Sequence, residues 1–158
     1  MTVTESRLLT GPDYYWEDLC QDDVISSPGL TISEAHLVTW AGLTGDIVSL
    51  HLDEVYASKT QFGKRIGHGP LSLACALGLM TQTGYFKNVG AWLGLDEVRA
   101  TAPVFIGDTI RATAELIESR ETSKPGMGIW KFKYSVINQD QKTVMTFYSS
   151  FMMVRKPQ

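Results

Sequence analysis

From Gly90 onward apolar and polar residues alternate, and the alternation falls into four blocks. Val89 to Thr101, Asp108 to Ser119, Gly128 to Asn138 and Thr143 to Arg155 each keep a period of two, which sends successive side chains to opposite faces of a strand. In the last block Val144, Thr146, Tyr148, Ser150, Met152 and Val154 alternate with Met145, Phe147, Ser149, Phe151 and Met153. Both sets hold apolar residues, so both faces of the sheet are expected to be partly covered. Turn residues at Ile106-Gly107-Asp108, Lys124-Pro125-Gly126 and Asn138-Gln139-Asp140-Gln141 separate the blocks. Strands joined this closely run antiparallel.

The first half has a different rhythm. Thr31 to Gly45 reads as a helix, with Leu37, Val38, Trp40 and Ala41 as its buried stripe. Thr31 with Glu34 fits a capping box, Ser33 is a competing cap, and His36 has no evident partner. Gly69 to Tyr85 reads as a second helix, opened by Pro70 at its first turn. Its apolar residues cover nearly every face, so burial on most sides is expected. Between the helices, residues 46–67 keep no period beyond one helical turn near Asp53, Glu54, Tyr56 and Ala57. So long an irregular stretch inside a domain tends to be functional. Helices followed by a run of strands predict an α+β fold, an antiparallel sheet of four or more strands wrapped around a helix.

Length and composition bound this picture without changing it. The 158 residues make one domain, with residues 1–30 as a lead-in whose first twelve are polar and frayed and whose rings Tyr14, Tyr15 and Trp16 pack on the body. A turn is expected at Ser26-Ser27-Pro28-Gly29. A net charge of −3 argues against a nucleic-acid binder, which needs cations to neutralise phosphates. The start of the chain lacks the basic and apolar segments of a signal peptide, and Pro70 to Met80 falls short of the ~20 apolar residues of a membrane span. Cys20 and Cys75 do not make a disulfide framework, so a reduced, cytoplasmic protein is expected.

Titratable residues gather just before the second helix. Asp46 and His51 could together hold one water, taking a proton from it and returning one elsewhere. Their spacing alone does not separate that reading from a turn-capping aspartate and a loop histidine. The N–H of Gly69, at a helix start, could meet a developing negative charge, where Pro70 has no N–H to offer. His68 could contact substrate or orient the loop. Lys59, Lys64 and Arg65 could meet phosphates. A metal held by Asp46, His51 and His68 matches no recognised zinc spacing, and none is expected.

The run Gly45-Asp46-Ile47-Val48-Ser49-Leu50-His51-Leu52-Asp53, with Ala57 and then Phe62-Gly63-Lys64-Arg65-Ile66-Gly67-His68-Gly69, resembles the MaoC-like hydratase/dehydratase family, which includes the (R)-specific enoyl-CoA hydratases. Ala102-Pro103-Val104-Phe105-Ile106-Gly107-Asp108-Thr109 is similar to a later segment of the same family. The resemblance implies a hotdog fold and a homodimer joined edge to edge. It implies Asp46 and His51 as the catalytic pair, Gly69 as the oxyanion donor and an acyl-CoA or acyl-carrier thioester as substrate, with no cofactor beyond that carrier. One departure stands out: Val48-Ser49 replaces the Asn-Pro of the family pattern. A hotdog thioesterase and a non-catalytic thioester-binding module are the competing readings. The first is disfavoured because Pro70 to Thr83 holds no acid.

Overall fold

The computed structural model describes residues 14–157, so the frayed segment expected over residues 1–12 lies outside the described residues. After a single helical turn at Trp16–Asp18 come the short strands β1 (Val24–Ser26) and β2 (Leu30–Thr31), then helices α1 (Glu34–Thr44), α2 (Ser49–Leu52), α3 (Glu54–Ala57) and α4 (Gly69–Thr81). Four long strands follow: β3 (Val89–Ala100), β4 (Thr109–Glu121), β5 (Met127–Ile137) and β6 (Thr143–Val154). They form one antiparallel sheet in the order β1-β4-β5-β6-β3, and β2 also pairs with β4.

Alternation decides which face is inside. Ala112, Ala114 and Leu116 of β4, Trp130, Phe132, Tyr134 and Val136 of β5, and Met145, Phe147, Phe151 and Met153 of β6 are buried on one side. Their neighbours Lys131, Thr146, Tyr148 and Ser150 are half-buried on the other. The alternating blocks thus resolve into a core face and a half-exposed outer face. Aromatic contacts tie the inner face together, with Tyr134 and Phe147 stacked across paired strands at 4.5 Å and 12°.

Helix α4 lies against β4, whose inner face is small there, with Ala112 and Ala114. Its residues Leu71, Ser72, Ala76, Leu79 and Met80 are buried. Burial on most sides, however, is not what the described residues show: Pro70, Ala74 and Gly78 form an exposed stripe, because no second layer among the described residues covers it. The helix also ends sooner than Tyr85. Thr81 and Thr83 hydroxyls donate to the carbonyls of Gly78 and Met80, and Gly84 turns left-handed (φ 86°) to lead the chain toward β3.

Helix α1 begins three residues later than expected. Thr31 is spent on β2, opposite Thr109, and Ser33 becomes the cap. His36 has a partner after all: its Nδ1 accepts from the Ser33 N–H at 3.0 Å and lies 2.8 Å from the Ser33 hydroxyl, closing the box from the third helical position. Of the expected stripe Leu37 and Ala41 are buried, Trp40 is half-buried and Val38 is exposed. Of the lead-in rings, Tyr14 and Trp16 pack on the body. Trp16 lies so close over Gly128 that no Cβ would fit there, and Tyr14 stacks on Tyr85 at 4.1 Å.

The buried Tyr134 hydroxyl has no hydrogen-bond partner among the described residues, a condition that costs on the order of 1–3 kcal/mol. Tyr134→Phe is therefore expected to keep or raise stability, by about 1 kcal/mol. Phe147→Ala, which empties the facing half of the stack, should cost about 3–5 kcal/mol. Urea unfolding midpoints of the two variants check the contrast.

Candidate active site

Helix α1 stops at Gly45, whose left-handed backbone (φ 77°) lets its N–H reach the Ala41 carbonyl at 2.9 Å. Asp46 follows at once, and the chain then winds into α2, which carries His51. Val48 is the cap of α2 and Ser49 its first residue. Asn and Pro would suit these two positions, one as cap and one as first residue. Val48 supplies no side-chain cap, yet the turn forms, with the His51 N–H bonded to the Val48 carbonyl at 3.0 Å. The departure removes local reinforcement and leaves His51 in place.

A second segment arrives beside the first. Ile66 bridges Phe105, and the Gly67 N–H donates to the Val104 carbonyl at 2.7 Å. The turn that offers this edge is itself fixed by Asp108, whose carboxylate accepts from the Phe105 N–H at 2.8 Å. His68 then caps α4 and Gly69 is its first residue. The Gly69 N–H is among those a helix leaves without an internal acceptor.

Asp46, His51 and His68 meet here. One ligand-type atom from each lies within 4.8 Å of the others, close enough for one water to bridge them. The two imidazoles stack, with centroids 3.9 Å apart at 29°. A carbonyl can only accept, so each contact below assigns a ring proton. His51 Nδ1 donates to the Ile66 carbonyl at 2.8 Å, which leaves its Nε2 as the basic nitrogen. His68 Nε2 donates to the Asp46 carbonyl at 3.1 Å, and its Nδ1 is left with no partner among the described residues. Burial, first of all, holds the His68 ring below the ordinary histidine value, and the neighbouring His51 adds to the effect.

A cavity of about 320 Å³ opens beside this cluster. His51, Gly67, Gly69 and Ser72 form one wall, and Ala100, Thr101, Ala102, Pro103, Val104, Val144 and Met145 another. Nothing would contact a Cβ built on Gly69 within 4 Å, so its backbone faces open space. Asp46 and His68 do not line the cavity; His68 is fully buried. Ser72 was not among the sequence candidates, although its place three residues after Gly69 puts it on the same helix face.

The proposed phosphate contacts have other partners. Arg65 grips Glu34 with two bonds of 2.6 and 2.7 Å and Glu54 with a third of 2.8 Å. This clamp joins α1 to α3, and the guanidinium holds the Glu34 carboxyl below its usual range. Lys64 places its ammonium 4.4 Å over the Phe105 ring, and Lys59 is exposed. The structure brings together Asp46, His51, His68 and Gly69, and leaves Lys64 and Arg65 outside the cavity lining. Both cysteines are free. Among the described residues no helix is long and apolar enough to cross a membrane.

Comparison with known proteins gives the same direction. The model of the MaoC-like domain matches residues 17–134. The protein MaoC of Klebsiella aerogenes is 32% identical over 130 residues, which are 77% of this chain and 38% of that protein. An (R)-specific enoyl-CoA hydratase of Rhodospirillum rubrum is 36% identical over 103 residues, 63% of this chain and 67% of that one. A Mycobacterium tuberculosis protein described as a double hotdog fold superposes with a TM-score of 0.81 at 26% identity, over 93% of this chain and 45% of that one. The antiparallel sheet with α4 against it is this hotdog arrangement. The chain spans well under half the length of the Klebsiella relative.

The buried His68 ring makes stability depend on pH. Its native pKa lies below the ordinary value of 6.5, so between the two the unfolded chain holds a proton that the folded one lacks. Unfolding then takes up a proton, and stability falls as pH drops below about 6.5. Denaturant midpoints at pH 7.5 and 5.5 should show a smaller acid loss for His68→Gln than for the wild type.

Proposed function

The chain belongs to the MaoC-like domain family, and from that footing we propose that it is a hydro-lyase that adds water to, or removes it from, the C2–C3 bond of an acyl thioester, with (R)-specific enoyl-CoA hydration as the reaction. The observation that carries this reading is the orientation of His51. Its Nδ1 proton is tied to the Ile66 carbonyl, so the free lone pair of Nε2 is available on a residue that lines the cavity. Asp46 lies within one water of it, and Gly69, the first residue of α4, lines the same cavity.

In this mechanism a water held between Asp46 and His51 gives a proton to His51 Nε2 as its oxygen bonds to C3. The C2–C3 π electrons move toward the thioester, and charge collects on its oxygen. The Gly69 N–H, strengthened by the helix dipole, meets that oxygen. A proton delivered to C2 from the same acid–base pair restores the carbonyl, so water is added without any other reagent. Dehydration is the same path reversed. The thioester carrier is CoA or an acyl-carrier protein, and the chain needs no cofactor of its own.

Helix α4 carries no Asp or Glu from Gly69 to Thr81, which counts against thioester hydrolysis by a carboxylate on that helix. The free edge of the sheet at β3 exposes Trp92, Leu93 and Val98, and fits the expected homodimer joined edge to edge. Two free cysteines fit a reduced, cytoplasmic setting.

Loss of enoyl absorbance with a panel of trans-2-enoyl-CoA thioesters tests the proposal. Asp46→Asn and His51→Ala should each lower turnover by roughly 10²- to 10⁴-fold. Folded variants that turn over at the wild-type rate would remove both residues from the mechanism.

A further inference from the structure

His68 is fully buried, lines no part of the cavity, and leaves Nδ1 without a partner among the described residues. An imidazole kept in this condition is costly, since a buried unpaired acceptor forfeits its hydration. A leucine or phenylalanine would fill the same volume without that loss. What a hydrocarbon cannot do is donate a hydrogen bond to the Asp46 carbonyl, 22 residues away in the chain.

The backbone of His68 has a separate task. Its carbonyl accepts from the Ser72 N–H at 3.1 Å and from the Ser72 hydroxyl at 3.3 Å, which starts α4. Gly69, which lines the cavity, is the next residue. A single residue therefore grips the loop of the acid with its side chain and begins the helix of the oxyanion donor with its main chain. Its ring also lies flat on His51, the third participant.

We infer that His68 is a positioning residue: through its Nε2–H bond to the Asp46 carbonyl it fixes the distance between the Asp46–His51 pair and the Gly69 amide. The role rests on the hydro-lyase reading for its catalytic consequence, while its structural half stands apart from that reading. The titratable groups that face the ring are His51 and Asp46; Ser72, the α4 residue it bonds, is not ionisable. Neutral His68 donates to the carbonyl and leaves His51 free to become the cation when it takes the proton of water. Outer groups that orient reacting ones are commonly worth 10- to 100-fold in rate.

Two substitutions separate the hydrogen bond from packing. His68→Gln places an amide N–H near the position of Nε2 and discards the ring, and His68→Phe keeps a ring and discards the donor. The expected result is a fall in kcat of about 10- to 100-fold for His68→Phe with KM changed less than about threefold, and recovery to within about fivefold of wild type for His68→Gln. Equal loss in both variants, or a wild-type kcat in His68→Phe, overturns the role.

Amide exchange at Ile47, whose N–H is bonded to the Gly45 carbonyl at 3.0 Å, reads the loop without any substrate. Exchange should speed up in His68→Phe and stay near wild type in His68→Gln. Unchanged exchange in His68→Phe overturns the inference even in a protein with no turnover. Absence of turnover on every thioester, with the exchange pattern as expected, would instead reject the hydro-lyase reading and leave the hydrogen bond's role in the loop standing.

Discussion

A helix with as broad an apolar face as α4 needs an apolar surface to lie against, even though its small residues Pro70, Ala74 and Gly78 stay exposed. It must lie against an apolar sheet face, and the small inner residues of β4 provide the place where it lies. That placement fixes its first residue as well as its axis. The segment before it is clamped by the Gly67 N–H on the Val104 carbonyl and by the bridge from Ile66 to Phe105. The N-terminus of α4 is consequently a rigid point on which a reaction centre can be built. Its first residue, Gly69, lines a cavity that is also lined by Ala100, Val144 and Met145 of the sheet.

Two carbonyls, one in the segment before α4 and one in the loop after α1, give the two histidines different tautomers. The Ile66 carbonyl takes the Nδ1 proton of His51, and the Asp46 carbonyl takes the Nε2 proton of His68. Identical side chains in contact thus hold opposite tautomers. One presents a basic nitrogen on a cavity-lining ring, and the other is buried behind it. Arg65 secures the outside of this loop by joining Glu34 to Glu54, so α1, α3 and the segment before α4 are held as one unit. Charge that looked available for a ligand's phosphates is used in holding the site's own frame.

Much of this could be read in the chain, and the exceptions have physical causes. β4, β5 and β6 declare themselves because alternate side chains are buried along much of their length, whereas β3, at the sheet edge, buries none and shows itself only by its sequence pattern. β1 and β2 do not, because three and two residues are too few to show a period, and a turn at residues 26–29 accounted for the same polar stretch. The α+β class and the core helix follow from periodicity, while the exposed stripe of Pro70, Ala74 and Gly78 does not, since small residues read as apolar wherever they point. Asp46, His51 and Gly69 stand out by motif as candidates, and the fold brings Asp46 beside His51, which lines one cavity with Gly69. The cap from His36, the clamp at Arg65 and the stack of His68 on His51 depend on contacts across the fold that spacing cannot express. Replacement of Asn-Pro by Val48-Ser49 looked like a threat to the loop. It proves to sit at the cap and first residue of α2, where propensity helps a turn but tertiary contacts decide it.

In the proposed reaction, water held by Asp46 and His51 adds across a C2–C3 double bond with the thioester left intact. Product analysis after reaction of a trans-2-enoyl-CoA in heavy water tests it most directly. The expected product is a 3-hydroxyacyl-CoA of a single configuration at C3 with one deuterium at C2. Release of free CoA thiol with the double bond retained would contradict it.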